Sequence, residues 1–579
     1  MMGLAEEDVV TAAAELPVGG REPRDPSPAP LPFYIALGAP DQGALRESDS
    51  TFGPSREINP NKLVWHGVSE EKMIERADKL KGEVCGLFEA CKNVVEKLDL
   101  VDVLQRLGID HHFQEQIATT LSIIHNQRDE FNSSDLHEVS LRFRLLRQHG
   151  FWVPADEFDR FKLEDGSFID SIANDPKGLL SLYNAANLLT HNNEGALEEA
   201  LMFARRHLEL IQSSLKSPLA DQVARALKIP LPRTLKRVEA VSYMQEYSVE
   251  QRYNPAILEL AKLDFNLLQR LHQKELKTIS QWWKDLSEDV GLEYVRDRIV
   301  ECYFWAYSMY YEQEYARARM ILVRLFILTS LLDDTYDDHA TLEESRDLTK
   351  AIERWDENNI SFLPEYMKKF FLKVTRNFEE FEDELEPHEK YRVAYVRKAF
   401  QLISKSYLQE AEWSHHEYIP SFKDHVNVSA ISAGGQVMCV GSLVGMGDVA
   451  TKEAFEWAIG HTDAIRASGE VSRFMDDMAD FKRGRDKMDV ATSVECYMKE
   501  HNVTSEVVVA KIGSFVDVAW KTINQALFDH RSPPLPVLQR VANFAMSIMI
   551  IFLDQRDGYT NSKEFKETLE SQFVKHIPL

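Results

Sequence analysis

The residues best suited to chemistry are four carboxylates that follow one long apolar segment. Asp333, Asp334, Asp337 and Asp338 come directly after MILVRLFILTSLL, whose composition predicts a largely buried helix. Carboxylates at such a helix end are costly, because burial removes their hydration and the negative end of the helix dipole repels them. Asp333 and Asp337 fall one turn apart on one helix face, where their oxygens can bind a hard cation such as Mg²⁺. A solvated acidic loop is the alternative interpretation.

A second acidic cluster further along the chain has the same spacing. Asp476, Asp477 and Asp480 follow Arg473 in RFMDDMAD, and Asp476 and Asp480 are again one helical turn apart. Two such clusters facing each other across a helical bundle would hold several divalent ions around one diphosphate. Taken alone, this segment is also typical of an exposed helix that pairs its acids with nearby basic residues.

Two arginines and a dense aromatic segment precede the first acidic cluster. Arg296 and Arg298 carry guanidinium groups, whose fixed fork of donors suits phosphate oxygens. The segment YFWAY, which contains Trp305, follows shortly after. Aromatic residues at this density usually pack a core, and two neighbouring arginines are common on surface helices. In an enzyme that forms cations, however, the ring faces would also stabilise positive charge, most strongly at tryptophan.

The composition of the 579-residue chain limits its class and its partners. Lys and Arg number 67 against 93 Asp and Glu, a formal net charge of −26 that argues against nucleic-acid binding and against an anionic membrane surface. No stretch of about 18 or more uncharged apolar residues occurs, so no membrane span is expected. The five cysteines are scattered, and the start MMGLAEEDVV resembles neither a secretory signal nor a transit peptide. We therefore expect a cytoplasmic protein.

Hydrophobic periodicity predicts an all-α fold with two helical domains in tandem. Residues 1–55 include a Pro- and Gly-rich segment and are predicted to form a flexible tail. The later residues follow a helical pattern nearly throughout, as in AILELAKLDFNLLQRLHQKEL from Ala256. The helix-breaking segment RYNPAI places a boundary near residue 253. We therefore predict an N-terminal helical domain at residues 56–253 and a C-terminal one at residues 254–579.

Together these motifs resemble a known family. RDRIVECYFWA, LLDDTYDDHAT, RFMDDMADFK, VATSVECYMKE and DGYT stand in the order and spacing of plant class I terpene synthases of the sesquiterpene type. Arg56 and Trp65, separated by eight residues, are similar to that family's Arg-x8-Trp motif. The resemblance covers residues 56–579. It implies an active site in the C-terminal helical bundle and an N-terminal relic domain without an acidic site of its own.

The resemblance also implies roles for the matching residues. The implied metal ligands are Asp333, Asp334, Asp337, Asp476, Asp477 and Asp480. The implied substrate-binding residues are Arg296, Asp333, Asp337, Arg473 and Asp476. The implied catalytic residues that hold the departing diphosphate, line the pocket or close over it are Arg296, Arg298, Arg473, Trp305, Asp557 and Tyr559. Gly434 and Gly435 match a break in a pocket helix, and Arg56 matches a residue of the strand that caps the site.

One position departs from the family pattern. The usual second metal motif carries a Ser or Thr where this chain has Asp480, and a Glu where it has Gly484. We expect a second aspartate-rich motif to substitute for it. If Gly484 lies one helical turn beyond Asp480 on the same face, Asp480→Ser combined with Gly484→Glu would rebuild the common motif. If the second cluster is only a solvated helix face, Asp477 and Glu410 are the next ligand candidates.

The reaction implied by the resemblance is ionisation of an isoprenyl diphosphate, with Mg²⁺ as the metal and Mn²⁺ as a possible substitute. Farnesyl diphosphate is the expected substrate, because members without a transit peptide resemble sesquiterpene synthases. The expected products are diphosphate and a sesquiterpene hydrocarbon or alcohol, formed by a monomer. Two alternatives stay open: a prenyl chain-elongating synthase, and a non-catalytic homologue that binds isoprenoid diphosphates.

Overall fold

Helices make up nearly all the regular secondary structure of the computed structural model. The structure describes residues 69–127, 131–192, 194–250, 253–291, 294–484, 490–529 and 531–579. Within these residues the one β-bridge joins Lys162 and Phe168, which confirms the all-α prediction. The predicted tail at residues 1–55, and Arg56 and Trp65 with it, lies outside the described residues.

Eight α-helices precede the predicted boundary and fourteen follow it within the described residues. The first eight are α1 (Glu70–Ala90), α2 (Val94–Arg106), α3 (Gln114–Asn126), α4 (Leu136–Gln148), α5 (Pro176–Ala186), α6 (Gly195–Ile211), α7 (Leu219–Lys228) and α8 (Lys236–Tyr247). The next seven are α9 (Pro255–Val290), α10 (Ile299–Met309), α11 (Ala316–Asp334), α12 (Leu342–Arg354), α13 (Glu365–Asp383), α14 (Arg392–His415) and α15 (Phe422–Ser432). The last seven are α16 (Gly435–Ser442), α17 (Lys452–Ile459), α18 (Asp463–Arg483), α19 (Ser493–His501), α20 (Ser505–Ala526), α21 (Leu535–Ile551) and α22 (Ser562–Phe573).

Helix α9 belongs to both hydrophobic cores of the molecule. Asn254 caps its start, because the side-chain oxygen accepts from the backbone N–H of Ala256 at 2.9 Å, and Pro255 occupies the first turn. Buried residues as far as Phe265 pack with α1–α8, whereas those from Leu268 onward pack with the C-terminal helices. The helix expected after RYNPAI is therefore present, but it carries the first core beyond residue 253. The boundary between domains stays a prediction.

One helix of the C-terminal bundle has the composition of a membrane span. The segment Leu535–Gln555 is long and apolar enough to cross a membrane, and 67% of its most apolar window is buried within the protein. Three of its residues, Phe544, Ile548 and Phe552, line the cavity described below. Packing in the bundle therefore accounts for the apolar character of this helix.

A glycine contact positions the helix that carries the second acidic cluster. Helix α15 ends at Ser432 and α16 begins at Gly435, and Gly434 adopts a φ of +80° between them, so the expected break is present. Helix α18 crosses at this point. A Cβ on Gly469 would lie 2.1 Å from the carbonyl oxygen of Ala430, and one on Gly435 would lie 2.7 Å from the Cα of Gly469. The two glycines therefore let α18 approach the break at backbone contact.

Because of this contact, replacing glycine by alanine should have opposite effects on the free energy of unfolding at Gly469 and at Gly86. Gly469→Ala should lower the free energy of unfolding by about 1–3 kcal/mol, because the added methyl group overpacks the crossing. Gly86→Ala in α1, where no atom would lie within 4 Å of the new Cβ, should raise it by about 0.5–1 kcal/mol. Thermal unfolding followed by circular dichroism measures both variants. Equal melting temperatures for the two would contradict the close crossing.

Candidate active site

The first acidic cluster spans a change of helix type. Helix α11 ends at Asp334 and continues as a π-helix at Thr335–His339, where the backbone N–H of Ala340 donates to the carbonyl of Thr335 at 2.9 Å. The wider turn leaves Asp337 exposed, while the side chain of Asp333 is 31% exposed at the cavity. The expected α-helical continuation through Asp337 is therefore replaced by a π-turn, with Asp333 lining the cavity and Asp337 exposed beyond it.

Asp334 faces away from the mouth and holds Arg296. Its side chain is fully buried, and it accepts from the backbone N–H of Arg296 at 3.0 Å and from the Nε of Arg296 at 2.7 Å, with a further contact to the guanidinium group. Both carboxylate oxygens are thus engaged by one arginine. This geometry favours an anchoring role for Asp334 over the ligand role expected from the sequence.

The two arginines of the RDR segment hold the predicted closing loop. The guanidinium group of Arg298 donates to the carbonyl of Thr560 at 2.6 Å, and that of Arg296 donates to the Thr560 hydroxyl at 3.3 Å. Asp557 shapes the loop, because its carboxylate accepts from the backbone N–H groups of Tyr559 at 3.0 Å and Thr560 at 2.8 Å. The structure therefore brings together four of the predicted residues. Thr560, which the sequence motif includes without a role, connects them.

Tyr559 covers the apolar part of the cavity. Its ring lies 4.7 Å from that of Trp305, which stacks in turn on Phe326 with ring centroids 5.3 Å apart. The hydroxyl group of Tyr559 is hydrogen-bonded to Ser330. Three ring faces thus border a cavity of about 130 Å³, as the prediction for Trp305 requires.

The second acidic cluster lies on α18, across the cavity from α11. Asp476 lines the cavity together with Asp333, and the side chains of Asp476 and Asp480 are 28% and 31% exposed. Arg473 donates to Asp476 at 3.1 Å and to Asp477 at 3.3 Å. One carboxylate of each cluster, Asp333 and Asp476, therefore lines the same cavity as this arginine.

Asp477 repeats the part played by Asp334 on the other side. Its side chain is 2% exposed and accepts from the backbone N–H of Ser493 at 2.6 Å, while the Nε2 of His425 lies 3.4 Å away. With Arg473 as a third partner, the carboxylate connects α18 to α15 and α19. These contacts favour an anchoring role for Asp477 over the expected ligand role.

Gly484 does not lie on the face of α18 where the sequence analysis places it. The helix ends at Arg483, and Gly484 is its C-cap, with a φ of +90° and a backbone N–H that donates to the carbonyl of Asp480 at 3.0 Å. The expectation that Gly484 lies one helical turn beyond Asp480 on the same face is therefore wrong. A side chain at a positive φ is strained, and the position no longer continues the helical face.

The cavity mouth gathers more negative charge than the protein neutralises. Burial raises the pKa of Asp333 to about 6, with Arg296 opposing the shift, and raises the pKa of Asp480 to about 6 against Arg483. Burial and repulsion from Asp480 raise the pKa of Asp476 well above the usual range. The pKa of Asp337 is raised in the same way, because the surrounding protein limits its hydration even at an exposed position and because Asp333 repels it. A carboxylate with a raised pKa costs folding free energy once it ionises, and a bound cation relieves this cost.

Glu410 on α14 adds a fifth acid between the two clusters. It is 7% exposed and accepts a hydrogen bond of 2.7 Å from the Ser432 hydroxyl, which in turn lies 3.4 Å from an Nη atom of Arg473. Burial raises the pKa of Glu410 to about 7, although Arg473 opposes the shift. The sequence offers Glu410 only as an alternative ligand, because it stands in no motif and only the fold brings it to the cavity.

The carboxylates of the two clusters suit a metal that takes only some of its ligands from protein. Among the described residues, the one group of three or more His, Cys, Asp or Glu side chains with ligand atoms within 4.8 Å of one another is His111, His112 and Asp264. Arg237 already pairs with Asp264 at 2.8 Å there, which supplies the positive charge. At the cavity, the looser grouping fits Mg²⁺, which binds one or two carboxylates together with water and substrate phosphate oxygens.

Comparisons with known proteins agree with this geometry. The family model described as "Terpene synthase family, metal binding domain" matches residues 284–522, and the one described as "Terpene synthase, N-terminal domain" matches residues 55–227. A tau-cadinol synthase of Zea mays is 68% identical over 520 residues, covering 88% of this chain and 94% of the relative. An alpha-copaene synthase of Zea mays is 67% identical over 517 residues, covering 87% and 95%.

Two solved structures are similar over nearly the whole described chain. Limonene synthase with 2-fluorolinalyl diphosphate is 30% identical with a TM-score of 0.85, covering 91% of this chain and 99% of that one. Isoprene synthase from grey poplar, in complex with three Mg²⁺ ions and dimethylallyl-S-thiolodiphosphate, is 30% identical with a TM-score of 0.81, covering 88% and 98%. Matched family models over more than half its length, and relatives of such identity, show that this chain belongs to the terpene synthase family.

Proposed function

We propose that this protein is a Mg²⁺-dependent sesquiterpene synthase that ionises farnesyl diphosphate and cyclises the resulting cation. The observation that carries the proposal is that one aspartate of each acidic cluster, Asp333 and Asp476, lines a single cavity bordered by aromatic rings. The tau-cadinol and alpha-copaene synthases named above support the sesquiterpene class of product. The two clusters would hold Mg²⁺, or Mn²⁺ in its place, which neutralises the charge that develops on the leaving diphosphate.

Other residues of the chain would bind the diphosphate, stabilise the cation and exclude water. Arg473, and with it Arg296 and Arg298 at the closing loop, offer guanidinium donors to the diphosphate. The faces of Trp305 and Tyr559 stabilise positive charge on the hydrocarbon chain. Loop 557–560, held over the cavity by the two arginines, excludes water that would otherwise quench the cation early.

The two alternatives are weaker. The match to an N-terminal terpene synthase domain argues against a chain-elongating synthase. Adding isopentenyl diphosphate tests this, because only a chain-elongating synthase would use it to lengthen the substrate. A non-catalytic homologue is favoured only by the absent Glu at position 484. Asp480 lies on the same helix with a side chain 31% exposed and offers a carboxylate in its place.

We also propose a cytoplasmic monomer with domains at residues 56–253 and 254–579 behind a tail at residues 1–55. All five cysteines are free thiols, which suits a reducing compartment. Both acidic clusters, the arginines and the closing loop come from one chain, which supports a monomer. Sedimentation and fractionation of tagged protein test the two statements separately.

Metal removal should abolish turnover. EDTA should stop the release of diphosphate from farnesyl diphosphate, because the facing carboxylates cannot stabilise an anionic leaving group by themselves, and Mg²⁺ in excess should restore it. Circular dichroism before and after chelation controls for unfolding. Undiminished product after exhaustive chelation would contradict the metal-dependent mechanism.

The two neighbouring aspartates of the first cluster should respond differently to substitution. Asp333→Asn should lower kcat by a factor of about 100 or more and leave the melting temperature unchanged or higher, because repulsion at the mouth is relieved. Asp334→Asn should destabilise the fold by on the order of 2 kcal/mol, because partly exposed Arg296 loses its buried partner. Steady-state kinetics and thermal unfolding measure both. Equal stability losses for the two variants would contradict the separate roles.

The second cluster offers a test of the substituted motif. Asp480→Ala should lower kcat at least about tenfold and raise the Mg²⁺ concentration needed for half-maximal rate, because one anionic ligand is lost. Asp480→Ser combined with Gly484→Glu should not recover the parental rate, since α18 ends before position 484. Rates measured across a Mg²⁺ titration decide this. Full recovery by the double variant would show that the helix extends when Gly484 is replaced.

A further inference from the structure

A second cavity, of about 250 Å³, lies between the N-terminal helices and the end of α21. It is larger than the catalytic cavity of about 130 Å³, and the two have no lining residue in common. The end of α21 separates them, because Ile548 and Phe552 line the catalytic cavity whereas Ile550 and Leu553 line the second one. Sites for small molecules are frequent at such junctions between the parts of a protein.

Most of the surface that the second cavity exposes is apolar. Leu141, Leu180, Ala226 and Ile229 contribute to it from the N-terminal side, and all four are buried. A cavity of about 150 Å³ binds benzene, so by proportion a cavity of this size accommodates about ten carbon atoms. The walls therefore suit a hydrocarbon chain that is shorter than a farnesyl chain.

The polar residues that line the second cavity are mainly basic, although the whole chain carries a formal net charge of −26. The basic residues are Arg106, Arg144, Lys177, Arg225 and Lys228, and the acidic ones are Asp102 and Glu239. A concave surface with such an excess of one charge attracts a ligand of the opposite charge. The composition therefore favours an anionic ligand.

Both acidic residues of the cavity are already paired with arginine. Asp102 accepts a hydrogen bond from the guanidinium group of Arg144, and Glu239 accepts one from Arg106 at 2.8 Å. Burial lowers the pKa of His137 to about 4, so this lining residue adds no charge at neutral pH. The cavity therefore offers no free carboxylate to a cationic ligand.

Lys177 is the basic residue of the cavity that lacks an acidic partner. Arg225 pairs with Glu246, and Lys228 pairs with Asp554 at 3.0 Å. Lys177 is exposed, and no carboxylate oxygen of the described residues lies within 4.0 Å of its Nζ. Its ammonium group is therefore available to an anionic group at the solvent side of the cavity.

We propose that the second cavity is a ligand site, which binds a hydrocarbon chain of about ten carbon atoms that ends in one anionic group. A carboxylate and a phosphate share the chemistry that Lys177 would recognise. The chain would pack against Leu180, Ala226 and Leu553, where it loses contact with water. This site is distinct from the catalytic cavity and does not depend on turnover.

The experiment is isothermal titration calorimetry of the full chain with decanoate, in EDTA. Without divalent ions the carboxylates at the catalytic cavity repel an anion, so binding there is suppressed. We expect one decanoate per chain. Decyl phosphate tests the other headgroup: binding of either anion supports the site, the tighter one identifies the headgroup, and binding of neither overturns the proposal. Decyltrimethylammonium has the same chain with a cationic group and should bind at least about tenfold more weakly, because Lys177 repels it.

Substitutions locate the bound anion. Lys177→Glu should weaken decanoate binding by about three- to tenfold, as expected when an exposed ion pair is replaced by a repulsion. Ala226→Phe should abolish binding, because the larger side chain fills the cavity. Lys79→Glu is the matched control, since it reverses the charge of an exposed lysine on α1 outside the cavity, and it should keep the parental affinity. Parental affinity in Lys177→Glu would overturn the proposal even if Ala226→Phe failed to fold.

Kinetics distinguish the second cavity from the catalytic one. In the presence of Mg²⁺, decanoate should leave the KM for farnesyl diphosphate unchanged, because the two cavities have no residue in common. A KM that rises with decanoate would place the anion in the catalytic cavity and overturn the proposal. An absence of diphosphate release by the parent would contradict the proposed function, whereas the calorimetric result would still stand.

Discussion

Repulsion among carboxylates at one end of a helical bundle is the constraint on which the rest of the site depends. Asp333 and Asp476 line one cavity, Asp337 and Asp480 belong to the same two clusters, and Glu410 is close to both Asp333 and Asp477. Burial, followed by mutual repulsion, raises the pKa values of these carboxylates, and Arg296, Arg473 and Arg483 only partly oppose the shifts. One aspartate of each cluster has a structural role instead of facing the cavity. Asp334 anchors the loop through Arg296, and Asp477 anchors α18 through Arg473, Ser493 and His425.

This division of labour explains how a charged mouth and an apolar interior coexist in a single cavity. The anchored carboxylates are almost fully buried and saturated with donors, so they cost little once folded. Their neighbours keep oxygens free at the mouth. Two helical turns deeper on α11, Phe326 stacks on Trp305 of α10, and these rings exclude solvent. The change from charge to hydrocarbon thus occurs over about 10 Å along α11.

Much of this site can be predicted from sequence, and the exceptions have physical causes. The apolar segment before Asp333 correctly predicts a buried helix, whereas the spacing of Asp333 and Asp337 does not reveal the π-turn that replaces the helix between them. Adjacent aspartates have identical chemistry, however, so the sequence does not show that Asp334 turns inward to Arg296. Spacing alone places Gly484 on the helix, whereas a glycine after Lys482 and Arg483 is also typical of a helix end. Glu410 belongs to no motif, because only the tertiary fold brings α14 to the cavity.

The two predicted helical domains are present, but a continuous helix, and not a flexible linker, connects their cores. Residues on α9 between Ile257 and Phe265 are buried against the first core, and those from Leu268 onward against the second. This 36-residue helix is about 54 Å long and passes through both. Both hydrophobic cores of the molecule therefore contain side chains of the same helix, α9. Unfolding of either core would remove apolar contacts from α9, on which the other core also depends. Heat should therefore unfold the two cores in one cooperative step.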